Sequence, residues 1–211
     1  MAIRLLVISG SPTDGSSTDL LLKRLSNEVI ERLESTADVA AKFVKLNHRA
    51  ILPCQACGEA PTPKWCFYDE INDLFRLLAE TDCLLFGSPV FFDSVSAQAK
   101  LFIDRCNCFR PADFKDANPE HSFIKLIKRK RPGAMVLVGG KEGWFEGARR
   151  CIAGYFKWIE VVNEGVVSYR SPDFNEKGTA MMDAAVLSQV GELAEKLADR
   201  LAQGSGERGQ Q

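Results

Sequence analysis

A doubly wound α/β fold, five parallel strands with helices on both faces, is predicted by three features of the sequence. Short apolar runs alternate with stretches of helical periodicity along most of the chain, which is the pattern of repeated βαβ units. The first apolar run empties into a glycine- and hydroxyl-rich turn that opens an amphipathic helix. Two later runs also end in glycine-containing turns. Right-handed crossovers place all such turns on one sheet edge, where ligands bind in this architecture.

The first strand is expected over 3–8, a nearly unbroken apolar run suited to burial, and the first helix over 17–33. A second strand follows over 39–46 and a second helix over 69–79. The third strand is short, 83–87, because Gly87-Ser88-Pro89 punctuates it. Its helix spans 96–106, the fourth strand and helix 134–139 and 146–158, and the fifth pair 160–169 and 178–202. Residues 1–202 then form one domain, and the Gly-, Ser- and charge-rich tail 203–211 is expected to be disordered. Segments 47–68, 107–132 and 170–177 exceed what the minimal unit needs, and long loops in compact domains are usually functional or interfacial.

Composition narrows the function classes. With 27 Lys and Arg against 28 Asp and Glu the net charge is −1, so no global field steers the chain to nucleic acid or to a membrane surface. The strong acidity of a small electron shuttle is also missing. No cationic leader or apolar run of membrane-spanning length is seen. Seven cysteines, an odd number in a chain of 211 residues, favour a reducing compartment in which thiols or metal ligands persist. A cytoplasmic location is expected.

The turn Ser9-Gly10-Ser11-Pro12-Thr13-Asp14-Gly15-Ser16-Ser17-Thr18 has the chemistry of a phosphate site. Backbone N–H groups and the positive end of the helix dipole attract an anion, and six hydroxyls, on Ser9, Ser11, Thr13, Ser16, Ser17 and Thr18, surround it. Gly10 and Gly15 match the glycine spacing of the nucleotide-triphosphatase loop, but Ser16 replaces its lysine, which argues against ATP or GTP hydrolysis. The G-x-G-x-x-G fingerprint is absent too, so a terminal phosphomonoester fits better than a pyrophosphate. The plainer alternative is a hydroxyl-rich helix cap without a ligand.

Beside this turn, Pro89, Val90 and Phe91 after the third strand offer a surface for a flat ring, with backbone N–H groups at its polar rim. Phe92 is also read as a core residue. Gly139 and Gly140, ending the fourth strand, permit close backbone approach. The basic run Lys125, Lys128, Arg129, Lys130 and Arg131 lies on the opposite edge, since it enters the fourth strand, and is read as a solvated charged segment. His121 receives no catalytic role, and Trp144, Phe145, Phe156 and Trp158 are read as core or interface aromatics.

Taken together, Gly10-Ser11-Pro12 with its Ser/Thr cluster, Pro53-Cys54-x-x-Cys57, Gly87-Ser88-Pro89-Val90-Phe91-Phe92 and Lys100-Leu101-Phe102-Ile103-Asp104-Arg105 resemble the flavodoxin-like NAD(P)H-dependent FMN reductases, and within them the iron–sulfur flavoproteins. The resemblance spans roughly 1–169 in matching order. It implies a sheet order of 2-1-3-4-5 and an FMN cofactor, with NAD(P)H as co-substrate. Ser9, Ser11, Thr13, Ser16, Ser17 and Thr18 would hold the FMN phosphate. Pro89, Val90, Phe91 and Phe92 would contact the isoalloxazine, and Gly139 and Gly140 would close the site. Where the family often has Tyr, this chain has Phe91, so a hydroxyl near the ring is lost. A homodimer or homotetramer is implied as well.

The cysteine loop departs from the family. Its iron–sulfur members carry four clustered cysteines, whereas here Cys54, Cys57 and Cys66 match the first, second and last and Ala60 stands at the third. A four-iron cluster needs four thiolates or an outside ligand. The same cysteines are open to a zinc site with His48, a redox dithiol, or a structural role. The expected function is an FMN-dependent oxidoreductase passing electrons from NAD(P)H to a small acceptor such as a quinone or free flavin, with no catalytic side chain required. The rivals are an iron–sulfur flavoprotein-type electron-transfer protein using the cysteine loop and a non-catalytic FMN-binding protein.

Overall fold

The chain runs β1 (Ile3–Ser9), α1 (Ser17–Leu33), β2 (Val39–Lys45), α2 (Ile71–Glu80), β3 (Cys83–Phe91), β4 (Ser94–Val95), α3 (Ala97–Arg105), β5 (Arg131–Gly140), α4 (Glu146–Trp158), β6 (Val161–Ser171) and α5 (Ala184–Arg208). Short 3-10 turns occur at Leu46–His48, Cys106–Cys108 and Thr179–Met182. This is a computed structural model, and it describes residues 2–55, 69–109, 129–173 and 177–208. The sheet order is β2-β1-β3-β5-β6, parallel throughout, with β4 attached antiparallel to β3. With β4 set aside, that is the predicted order 2-1-3-4-5.

Period-two alternation in the central strands explains the two-sided core. Leu6, Ile8, Leu84, Phe86, Met135 and Leu137 face one way and pack with Phe75, Phe102, Ile152 and Phe156 from α2, α3 and α4. Leu5, Val7, Leu85 and Val136 face the other way, against Leu22, Leu25, Val190 and Leu197 of α1 and α5. Because both faces are buried, these strands read as continuous apolar runs. Among the described residues, no helix is long and apolar enough to cross a membrane.

Several boundaries differ from the sequence expectation. β3 does not stop at Gly87 but continues to Phe91, with Pro89 opposite Val138 of β5. Proline is tolerated there at the end of the strand, and the β3–β4 hairpin keeps the segment extended. α5 begins at Ala184 rather than Gly178, because Gly178 at φ 85° opens a 3-10 turn. Asp183 then caps the helix, accepting from the N–H groups of Ala185 at 2.9 Å and Val186 at 3.1 Å. The helix extends past Ala202 to Arg208, so residues 203–208, expected to be disordered, are helical. Buried Leu201 anchors the final turns, and adding residues to a formed helix costs little. Arg131, read as solvated, is 3% exposed at the start of β5, and burial pushes its guanidinium down to about 10. Cys57, Cys66, His121, Lys125 and Lys128 lie outside the described residues.

Candidate functional site

The first turn is shaped by its own hydroxyls. Ser9 Oγ accepts from the Ser11 N–H at 3.2 Å, and Ser11 Oγ accepts from the Thr13 N–H at 3.2 Å while donating to the Thr13 carbonyl at 3.1 Å. Ser16 caps α1, accepting from the Asp19 N–H at 3.3 Å. Gly15 takes φ 67° to swing the chain into the helix, a conformation that favours glycine. Ser9, Ser11 and Ser16 therefore spend hydrogen bonds within the turn. Thr13 is exposed, and Ser17 and Thr18, 8% and 1% exposed, begin the helix.

Sequence reasoning missed the two charged residues beneath this turn. Asp19, 3% exposed, accepts from Ser9 Oγ at 2.5 Å through Oδ1 and from the Gly15 N–H at 3.0 Å through Oδ2. Lys45 on β2 donates from Nζ to Asp19 Oδ2 at 2.5 Å and to the Thr13 carbonyl at 2.5 Å. Its register places it directly beside Ser9. A signal existed for Asp19, since an acidic residue three positions after a serine cap is a helix-start pattern. For Lys45 the strand order was not enough; its role follows from the register that sets it opposite Ser9. Asp14 meets His48 Nε2 at 3.1 Å and Lys45 Nζ at 3.4 Å, and Lys177 Nζ donates to its carbonyl at 3.1 Å. Desolvation raises the Asp14 carboxyl, but His48 and Lys45 together outweigh it and hold the group below its usual value.

The second segment is tied to the first through backbone. The Gly10 N–H donates to the Gly87 carbonyl at 2.8 Å, and Ser96 Oγ, capping α3, donates to the Gly10 carbonyl at 2.6 Å. A Cβ on Gly87 would lie 2.6 Å from Leu22 and 3.0 Å from the Thr18 methyl, so glycine lets α1 press onto β3 there. Pro89 is half-buried, and Val90, 8% exposed, turns its side chain into the core. Phe91 is 44% exposed. Phe92 is fully exposed at φ 52°, which corrects its reading as a core residue. It and Asp93, at φ 57°, form the two-residue turn between β3 and β4, and such a turn needs positive φ at both positions. Asp93 Oδ1 fixes the turn by accepting from the Gly147 N–H of α4 at 2.8 Å.

Gly139 and Gly140 end β5 on the same edge. A Cβ on Gly139 would sit 2.8 Å from the Phe145 ring, so the close approach there is made by Phe145. The Arg170 guanidinium lies 4.7 Å over that ring and also bonds the carbonyls of Lys141 and Gly143. Phe156 is buried and Trp144 is 78% exposed.

Of the cysteine loop only its base is described. The Leu52 carbonyl accepts from Arg105 Nη1 at 2.9 Å and its N–H donates to Asp69 Oδ2 at 3.1 Å, while Arg105 Nη1 meets Asp69 Oδ2 at 2.5 Å. Arg105 is fully enclosed. Cys54 is partly exposed two residues beyond. With Ala60 in the third position, the loop offers three thiolates, one fewer than a four-iron cluster takes from a four-cysteine motif.

Sheet order, crossovers and the capped, hydroxyl-rich first turn define a flavodoxin-like α/β protein. The model of the family of NADPH-dependent FMN reductases matches residues 3–167, and the chain belongs to that family. It is an FMN-dependent oxidoreductase with a reduced nicotinamide as co-substrate. An iron–sulfur flavoprotein of Methanocaldococcus jannaschii is 29% identical over 85% of this chain and 83% of its own. Another, from Archaeoglobus fulgidus, is 32% identical over 63% of this chain and 60% of its own. Among solved structures, a flavone reductase superposes with TM-score 0.64 at 15% identity, covering 94% of this chain and 63% of that one. An NADH:FMN oxidoreductase in its apo form gives 0.61 at 13% identity over 93% and 88%. Both share the fold.

Proposed function

We propose that the chain transfers electrons from NAD(P)H to a small diffusible acceptor, a quinone or a free flavin, in the cytoplasm and as a homo-oligomer. The supporting observation is the convergence of three strand ends, β1, β3 and β5, on one edge, with the first two joined by the Gly10–Gly87 and Ser96–Gly10 hydrogen bonds. Ser9, Ser11, Thr13, Ser16, Ser17 and Thr18 shape the phosphate end. The donors there suit a phosphomonoester, because hydroxyls and the start of α1 gather while the one buried carboxylate, Asp19, is matched by Lys45. Pro89, Phe91 and the backbone of Val90 provide the surface for the ring, Phe92 extends it into solvent, and the 139–140 backbone bounds it. When bound, FMN supplies the hydride and electron chemistry; the protein orients it and leaves one face open.

Oxidation of NAD(P)H by the purified chain, followed with and without a quinone, tests the reading. Turnover that rises with quinone supports it, and a yellow protein inert toward both nicotinamides would leave the two rivals, electron transfer through the cysteine loop or flavin binding alone.

The iron–sulfur electron-transfer alternative requires a full ligand set at Cys54, Cys57 and Cys66. After anaerobic reconstitution, iron and acid-labile sulfide are expected to fall clearly short of about four each per chain. Recovery of four of each would show that a fourth ligand exists and revive that alternative.

A further inference from the structure

We infer that Lys45 is a positioning residue that sets the charge of the first turn, so that a turn braced by a carboxylate accepts a phosphate dianion. The inference rests on the reading of that turn as the FMN phosphate site. Asp19 is the brace: its two oxygens hold Ser9 on β1 and the Gly15 N–H, and so fix the turn at both ends. It is also a buried anion in the first turn of α1, the place where the incoming phosphate would sit. Like charges confined in a poorly solvated site repel strongly. The first turn itself carries no lysine or arginine, and its second acid, Asp14, adds to the problem.

Lys45 resolves this from the neighbouring strand. Its ammonium has three protons and three oxygens within reach, Asp19 Oδ2, the Thr13 carbonyl and, at 3.4 Å, Asp14 Oδ1. The side chain is 8% exposed. With its donors committed inside the turn, it acts by neutralising Asp19 and holding the Thr13 carbonyl back, without touching the phosphate. Lys23, Lys42, His48 and Arg49 line a groove of about 430 Å³ along β2 together with Asp14, Gly15, Asp19 and Lys45, and of these cations Lys45 is the one buried against the brace.

The test compares FMN with riboflavin, which lacks the phosphate, by equilibrium titration of apo-protein. In Lys45→Met, FMN affinity is expected to fall at least about tenfold while riboflavin stays within about twofold. Lys45→Arg, which keeps the charge, should retain most of the FMN preference. In Asp19→Asn the amide can turn its NH2 to Ser9 Oγ and its oxygen to Gly15 and Lys45, so the brace persists without the anion. That variant should raise the preference for FMN over riboflavin, and adding it to Lys45→Met should restore binding. A parallel fall of both ligands in Lys45→Met, or a double variant no better than that single one, overturns the inference. If Lys45→Met does not fold, the Asp19→Asn ratio decides: an unchanged or lower FMN preference counts against it. A wild-type protein that binds FMN and riboflavin equally refutes the phosphate site itself, a separate outcome from a wild-type preference that Lys45→Met leaves intact.

Discussion

Replacing Ser11 and Ser17 together with aspartate should abolish FMN retention. Both positions belong to the first turn, Ser11 inside its hydrogen-bonded loop and Ser17 at the first residue of α1. A new carboxylate roughly 5 Å from the phosphate costs on the order of 3 kcal/mol per unit of opposing charge at an effective dielectric near 20. Two of them exceed any plausible reserve of affinity, and even one corresponds to about a hundredfold. Ser17→Asp alone separates binding from folding. An acidic residue at a helix start gains about 0.3–1 kcal/mol, which offsets the cost of placing a carboxylate at this 8% exposed position, so the apo variant should melt close to the apo parent while holding FMN less well. A protein that purifies yellow at full occupancy with both substitutions would show that the phosphate is held elsewhere. Loss of FMN accompanied by a lower melting temperature in Ser17→Asp would instead mean that the turn had been distorted.

Much of this arrangement was legible because its parts are local. Strand, turn and helix at residues 3–33 follow from consecutive apolar residues, a serine cap and periodic leucines. Crossovers of one hand put the strand-to-helix turns on one edge, while the order of the strands was implied by the family resemblance. What escaped were contacts between segments distant in sequence. Lys45 and Asp19 are 26 positions apart, and a lysine ending a strand looks solvated until its register against the neighbouring strand is known. Arg131 was misread for the same reason, since its run of charges hides that β5 starts there and draws one of them inside. At Phe92 the error was of another kind. A phenylalanine after an apolar run is ordinarily core, but the two-residue hairpin held by Asp93 and Gly147 turns it outward.

The largest loss of stability is expected at Asp69. This residue accepts from the N–H groups of Ile71 and Leu52, at 3.0 and 3.1 Å, and forms a two-pronged pair with Arg105, Nη1 to Oδ2 at 2.5 Å and Nη2 to Oδ1 at 3.3 Å. One carboxylate thereby starts α2, closes the base of the cysteine loop and neutralises a guanidinium with no exposed surface. Asp69→Ala removes all three functions and breaks the ion pair of a buried guanidinium, for which about 3–5 kcal/mol is typical. In a domain of this size, that lowers the melting temperature by roughly 10 °C. Removing Arg105 as well, in Asp69→Ala with Arg105→Met, should recover part of the loss, because no guanidinium then stays buried without the Asp69 carboxylate. The pH dependence has a definite sign. Burial raises the Asp69 carboxyl, but the hydrogen bond from Arg105 and those from the Ile71 and Leu52 N–H groups outweigh it, so its folded value lies below the ordinary one. Its contribution is therefore complete above the unfolded value of about 3.9 and disappears as the pH falls through the folded value. The difference in melting temperature between parent and Asp69→Ala should be constant near neutrality and shrink in acid below about pH 4. A constant gap down to pH 2, or a double variant as unstable as the single one, would mean that the helix start rather than the ion pair carries the effect.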